Sequence, residues 1–336
     1  MRRLAAFFLV CVTAVSAQTK KVIVMGMSPE NVKELQAVAP EAKVVSVTKE
    51  TVMEEIRDAD GFIGSITPEM VRAGKKLQWV QINSAGVERV LHLSGGNDLR
   101  DSNIILTNNQ IVQGPEIADH AFGMLLMFTR KLNVYWESKK QDIWLREGPF
   151  QGIELMGKNA VVIGVGGIGT QIAFRAWAFG MNVVGVDAED IPFMPIINKV
   201  VKPDQLDRVL PDADVVFVAA PHTAITDKMM GARQFGLMKK GSYFIAVSRG
   251  GLYDLDALVK ALTEKQLAAA GVDVTDPEPL PKGHPLWKFD NVIITPHIAG
   301  RSDQDSARMF GTIKENLRRF IDGKPLINVV DKRKGY

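Results

Sequence analysis

The sequence predicts an α/β protein built from two doubly wound, parallel-sheet domains. Short apolar runs alternate with helix-patterned stretches from Lys21 to Thr107, and the alternation resumes from Ala160 to Ile294. The second series opens on an apolar strand that runs straight into a glycine-rich turn, Gly164-Val165-Gly166-Gly167-Ile168-Gly169. A chain of 336 residues also exceeds one ordinary hydrophobic core. Apolar content of 46% and charged content of 24% belong to a globular protein. The formal net charge of +3 gives no reason to expect nucleic acid or an acidic membrane surface as a partner.

Taken in order, the chain begins with a basic Met1-Arg2-Arg3, an apolar run from Leu4 to Val15 too short to span a bilayer, and small residues at Val15-Ser16-Ala17. This pattern predicts a signal peptide over residues 1–17, cleaved after Ala17, and an exported protein; an uncleaved chain is expected in the cytoplasm. The one cysteine, Cys11, falls inside that segment, so the mature chain is expected to hold no catalytic thiol, disulfide or cysteine metal site.

The first series reads as strands at Lys21–Met25, Val44–Val47, Gly61–Gly64, Trp79–Ile82 and Ile104–Thr107, with helices at Pro29–Ala39 and Thr51–Arg57. Pro115 to Lys131 reads as a long helix whose apolar face is built by Ile117, Ala118, Ala121, Met124, Leu125 and Phe128. His120 lies one position off that face, which favours a helix-surface or interdomain histidine over a ligand. Further strands are expected at Val183–Val186, Val215–Val218, Tyr243–Val247, Ala268–Val274 and Val292–Ile294. A last amphipathic helix, Asp303 to Ile321, belongs back against the first series. The division expected is a substrate domain of residues 20–116 and 302–336 around an inserted domain of residues 117–301.

Gly164, Gly166 and Gly169 have the spacing of a dinucleotide-binding turn. The first glycine allows the tight turn and the second lets backbone approach a pyrophosphate. The third brings helix close to strand, and the free N–H groups of the helix Thr170–Phe179 face the phosphates. An ordinary glycine-rich βα turn would share the glycines but need not be followed, roughly 20 residues on, by an acid at a strand end. Asp187 is that acid. It can accept from both ribose hydroxyls and repels a 2′-phosphate, so NAD is expected as cofactor over NADP.

Three polar groups stand at strand ends of the second series, where open α/β sheets bind ligands. They are Arg249 in Val247-Ser248-Arg249-Gly250-Gly251, Glu278 in the proline-stiffened Asp273-Val274-Thr275-Asp276-Pro277-Glu278-Pro279, and His297 in Thr295-Pro296-His297-Ile298-Ala299-Gly300. Singly, each has a bland reading: a surface ion-pair partner, a solvated loop acid, a satisfied turn residue. Together, after a dinucleotide turn, they suit hydride transfer to a 2-oxo acid. The guanidinium offers a fixed fork to carboxylate and carbonyl oxygens. An imidazole can protonate the carbonyl oxygen, and a carboxylate on its other nitrogen fixes the tautomer. No cluster with metal-ligand spacing accompanies them, and no metal is expected.

The succession of these motifs resembles the D-isomer-specific 2-hydroxyacid dehydrogenase family, over nearly the whole mature chain and closest to its glyoxylate and hydroxypyruvate reductase branch. The resemblance implies a homodimer with a Rossmann NAD-binding domain inserted into a flavodoxin-like substrate domain. It implies that Arg249 binds substrate, Glu278 orients the histidine and His297 is the acid/base. It implies cofactor contacts from Gly164, Gly166, Gly167, Ile168, Gly169, Asp187, Pro221, Val247, Ser248 and Asp273, and substrate contacts from the loop of Ser84, Ala85 and Gly86. Ser248 and Asp119 depart from the family's usual alanine and glutamate, both conservatively. The competing reading is an NAD(H)-sensing, non-catalytic binding protein on the same fold, like the family's corepressors, although no partner-docking surface stands out in the sequence. Formate-type relatives carry a glutamine where Glu278 stands.

Overall fold

A computed structural model describes residues 19–92, 94–146 and 151–336. The leader expected over residues 1–17 lies outside them. The first sheet has five parallel strands, β1 (Lys21–Met25), β2 (Lys43–Val47), β3 (Gly61–Ile63), β4 (Trp79–Gln81) and β5 (Ile105–Thr107), in the order β2-β1-β3-β4-β5. The second has seven, β6 (Asn159–Ile163), β7 (Asn182–Val186), β8 (Lys199–Val201), β9 (Val215–Val218), β10 (Ser242–Ala246), β11 (Leu267–Val272) and β12 (Val292–Ile294), in the order β12-β11-β10-β9-β6-β7-β8. These are the flavodoxin-like and Rossmann orders of two doubly wound domains. Nearly continuous apolar runs with both faces buried produce them: β9 and β10 are buried at every position.

The expected strands all form, some shortened by a residue or two. The edge strand β8 was not expected, because Lys199-Val200-Val201 is too short to stand out from its loop. The stretch Thr51–Arg57 divides into a helical turn, Val52–Glu55, and a 3₁₀ turn, Ile56–Asp58. The helix after the glycine turn starts at Gly167, three residues before the expected Thr170.

The helix Gly114–Thr129 buries Ile117, Ala118, Ala121, Met124, Leu125 and Phe128 in the core of the second sheet, beside Ile172 and Ala173. A second helix, Leu132–Lys140, follows it with no buried residue. The last helix, Asp305–Asp322, returns to the first sheet. Its Ile313, Leu317 and Phe320 share a core with Val22, Val24 and Trp79, and the Trp79 and Phe320 rings lie 5.0 Å apart. Such a ring pair adds about 1 kcal/mol to the burial itself. The two crossings between the sheets are fastened together where Gln113 Nε2 donates to the Gly300 carbonyl at 2.8 Å. Among the described residues no helix is long and apolar enough to cross a membrane.

Candidate active site

The chain reverses direction across the second sheet between β6 and its two neighbours, and the glycine turn sits at that switch point. Gly164 has φ +87°, and a Cβ there would stand 2.5 Å from the backbone of Ala220, beyond the end of β9. A Cβ at Gly169 would stand 1.8 Å from the Gly164 carbonyl oxygen, so helix and turn pack backbone to backbone. Gly166 differs: no described residue lies within 4 Å of its Cβ position. It caps the helix Gly167–Ala178 without a side chain, leaving open space before the helix N-terminus. A pyrophosphate fits that space and that partial positive charge. Gly167 is spent differently, because its Cβ would meet the Cα of Ile111 at 2.5 Å. That glycine lets the first crossing between domains pass against the turn. Ile168, the next residue of the helix, is half-buried.

Asp187 follows β7 beside the turn. Its Oδ2 accepts from the Val165 N–H at 2.7 Å and its Oδ1 from the Glu189 N–H at 2.8 Å. The carboxylate is thereby fixed against the glycine loop with lone pairs to spare. At the end of β10, Val247 is buried, and the buried Ser248 hydroxyl has no hydrogen-bond partner among the described residues. A buried hydroxyl without a partner is costly unless something else satisfies it, and a bound cofactor would. The open floor at Gly166, the fixed acid and this hydroxyl all suit a dinucleotide. Pro221 is exposed on the loop after β9, where its carbonyl accepts from Thr226 Oγ1 at 2.7 Å.

His297 stands on the corner beyond β12 with φ +54°, and the corner is built on Asp273. Asp273 is 2% exposed. Its oxygens accept from Thr295 Oγ1 at 2.5 Å and from the backbone N–H groups of Ile298 and Ala299, both at 2.9 Å. Its own carbonyl accepts from the His297 N–H at 2.8 Å. Most of the hydrogen bonding of Asp273 therefore serves to aim His297. The imidazole Nδ1 then meets Glu278 Oε2 at 2.8 Å, which leaves Nε2 as the ring nitrogen not engaged by that carboxylate. Glu278 is held in turn by the Thr275 N–H, which donates to Oε1 at 3.1 Å. His120 belongs to the same corner, with Nε2 2.9 Å from Thr295 Oγ1. It lies on the surface of the helix Gly114–Thr129 and supports the corner from within the second domain.

Arg249 leaves the end of β10 and crosses to the first sheet. Its Nη1 donates to the Ser248 carbonyl at 2.7 Å and its Nε to Glu88 Oε1 at 2.9 Å. Burial pushes the Glu88 carboxyl up, but the Arg249 charge and hydrogen bonds outweigh it and hold the carboxyl below its ordinary range. A Cβ on Gly86 would lie 1.8 Å from Arg249 Nη2, so any side chain there would push the guanidinium away from the Ser84–Gly86 loop. Ser84 Oγ donates to the Gly86 carbonyl at 2.7 Å. Asn108 Nδ2 donates to the Ala85 carbonyl at 2.6 Å and Asn109 Nδ2 to that of Asn83 at 3.1 Å. The two glycines after Arg249 allow the other close approaches. At Gly250 a Cβ would lie 2.0 Å from the Thr275 backbone, and at Gly251 one would lie 2.4 Å from the His222 ring.

The structure thus brings Arg249, Gly86 and the Ser84–Gly86 loop into contact, and separately joins His297 to Glu278. The backbone contact of Gly250 with Thr275 links the two groups. Sequence reasoning missed Glu88, Asn108, Asn109 and Thr295. The available signals were Glu88 two residues beyond the glycine of its loop and a paired asparagine at the end of β5. Among the described residues no group of His, Cys, Asp and Glu is gathered to hold a metal ion.

Residues 122–299 match the family described as D-isomer specific 2-hydroxyacid dehydrogenase, NAD binding domain. The chain is 33% identical to a D-3-phosphoglycerate dehydrogenase of Methanocaldococcus jannaschii, over 89% of this chain and 57% of that protein. It is 30% identical to a glyoxylate reductase of Korarchaeum cryptofilum, over 85% of this chain and 86% of that one. It thus spans little more than half the length of the archaeal phosphoglycerate dehydrogenases it matches. Among solved structures, a D-isomer specific 2-hydroxyacid dehydrogenase from Xanthobacter autotrophicus, in complex with NADPH and MES, superposes with a TM-score of 0.79 at 25% identity. That match covers 95% of this chain and all of the other. The chain belongs to the D-isomer specific 2-hydroxyacid dehydrogenase family.

Proposed function

We propose that the protein interconverts a small 2-oxo acid and its D-2-hydroxy acid, using NAD in preference to NADP. The observation that carries this reading is the His297–Glu278 pair at 2.8 Å, joined through the close Gly250–Thr275 backbone approach to an arginine braced by Glu88. A nicotinamide dinucleotide, held by the Gly164–Gly169 turn, Asp187, Pro221, Val247 and Ser248, supplies or accepts the hydride. Arg249 presents Nη2 beside Gly86, where the backbone of Ser84 to Gly86 can share the substrate carboxylate. His297 donates a proton from Nε2 to the carbonyl oxygen during reduction and takes it back during oxidation. Glu278 holds Nδ1 and stabilises the imidazolium. Asp273 keeps the histidine aimed and lies next to where the nicotinamide carboxamide would sit.

Glyoxylate and hydroxypyruvate are the first substrates to test, because the glyoxylate reductase of Korarchaeum cryptofilum aligns with this chain over most of both lengths. The preference for NAD rests on Asp187, whose charge opposes a 2′-phosphate. The solved relative that holds NADPH makes this a point to measure. A homodimer is supported by exposed aromatics on the second domain: Trp136, Trp144, Phe174 and Trp177 are each more than half exposed. The assay is oxidation of NADH, then of NADPH, with a panel of small 2-oxo acids. Turnover with none of them, or full turnover by a His297→Ala variant, overturns the assignment.

A further inference from the structure

Beyond the last helix the chain does more than finish the first domain. Val330 is buried in the first core, where its N–H donates to the Leu106 carbonyl. Lys332 is a firm anchor: its Nζ donates to the carbonyls of Leu99, Ser102 and Ile104 at 2.9, 2.5 and 2.8 Å. From there the segment leaves the first domain and reaches the second. Gly335 lies close to the His92 ring and the Thr223 methyl group, which a Cβ there would approach to 3.0 and 3.8 Å. Lys334 Nζ and the Tyr336 hydroxyl both donate to Glu189 Oε1, at 2.6 and 2.7 Å.

The landing points are informative. Glu189 follows the ribose acid by two residues and donates its own N–H to the Asp187 carboxylate. Thr223 lies on the loop after β9, on the other side of the glycine turn. The loops after β7 and β9 flank the adenosine half of a dinucleotide on this fold; the segment is hydrogen-bonded to the first and lies close beside the second. Burial and the hydrogen bond to Glu189, with the nearby charges of Glu189 and Asp187 added, push the Tyr336 hydroxyl up to about 12. It therefore stays a donor to Glu189 throughout the physiological range.

We propose that Asp331–Tyr336 is a strap closing the adenosine end of the cofactor cleft, with Lys334 and Tyr336 as positioning residues that set dinucleotide affinity through Glu189. This rests on the cofactor reading above and deepens it. The strap is anchored on one domain and latched on the other, so it couples cofactor binding to the angle between them. It also fixes the loop that carries Asp187 before ligand arrives, which cuts the ordering cost of binding.

The test compares NADH with reduced nicotinamide mononucleotide, which lacks the adenosine half, by fluorescence titration of the full chain. A Lys334→Ala/Tyr336→Phe double variant is expected to weaken NADH about tenfold, the order expected for two hydrogen bonds to a carboxylate that is partly solvent-screened. Affinity for the mononucleotide stays at the wild-type value. A Glu189→Gln variant should shift NADH in the same direction, and a chain shortened after Lys332 keeps the anchor while removing the latch. Unchanged or tighter NADH binding by the double variant overturns the strap, as does equal weakening of both ligands. Wild-type protein that binds neither NADH nor NADPH overturns the cofactor reading itself, and the strap with it.

Discussion

Arg249 Nε donates to Glu88 Oε1 at 2.9 Å, and this ion pair ties the arginine at the end of β10 to the start of the helical turn Glu88–Leu91, after β4. On the proposed reading, this carboxylate on the other domain braces the side of the guanidinium away from substrate. Replacing Glu88 by Ala leaves a half-buried guanidinium without that brace. Losing a hydrogen bond between charged groups costs about 2 kcal/mol, so KM for the 2-oxo acid should rise on the order of 30-fold. kcat should fall less, and NADH affinity should hold. Steady-state kinetics with separate cofactor titration checks the split.

The same pair gives a pH signature in stability. The Glu88 carboxyl is held below its ordinary 4.5 in the folded protein. A depressed carboxyl stabilises the fold fully above its unfolded value, and that contribution disappears as pH falls through the lower folded value. The Tm difference between wild type and Glu88→Gln should therefore be constant from neutral pH down to about 4.5 and close below it. A difference that grows on acidification contradicts the pairing.

His297 and Glu278 should separate by size of effect. His297→Ala removes the proton donor and should lower kcat by about 10³-fold, within the range for general acid–base catalysis. Glu278→Gln keeps a group on Nδ1 but loses the charge that stabilises the imidazolium, and a loss of roughly 10- to 100-fold is expected. NADH binding should survive both changes. A His297 variant that loses cofactor binding would mean that the corner built on Asp273 had collapsed.

The strand pattern and the strand-end motifs were legible because each is local. Runs such as Val215–Val218 announce a buried strand, and a glycine turn followed by Asp187 announces an acid at a strand end beside that turn. Contacts between distant segments were not legible. Nothing near Glu88 points to an arginine far along the chain, and nothing in Asp331–Tyr336 points to Glu189. Asp273 shows the same limit: its position at a strand end was readable, but its three hydrogen bonds to the corner of His297 depend on β11 and β12 lying side by side. Gly167 shows it in reverse, since it sits inside the glycine motif and is required by Ile111 from outside it.

Gly250→Ala tests how tightly the Arg249 and Glu278 loops are joined. Its Cβ would meet the Thr275 backbone at 2.0 Å, and no side-chain rotation relieves that. Overpacking of this kind costs about 1–3 kcal/mol, and here it also separates the substrate fork from the histidine pair. Activity should fall more than stability. Ala at Gly166, where no described residue lies within 4 Å, should fold normally and weaken the dinucleotide instead. Thermal melts with and without NADH distinguish the two.

Asp187→Ser bears on cofactor choice. The acid fixes Val165 and Glu189 through their N–H groups, and a serine oxygen can satisfy at most part of that pattern. Removing its charge also removes the repulsion of a 2′-phosphate, while Lys202, whose Nζ already donates to the Ala188 carbonyl at 2.9 Å, stands close by. kcat/KM for NADH should fall and that for NADPH should rise, moving the ratio by about 100-fold, or nearly 3 kcal/mol. Wild-type protein that already favours NADPH would instead mean that Lys202 and Lys334 outweigh the acid. The strap would then serve to bring a cation to the phosphate, and Lys334→Ala would weaken NADPH more than NADH.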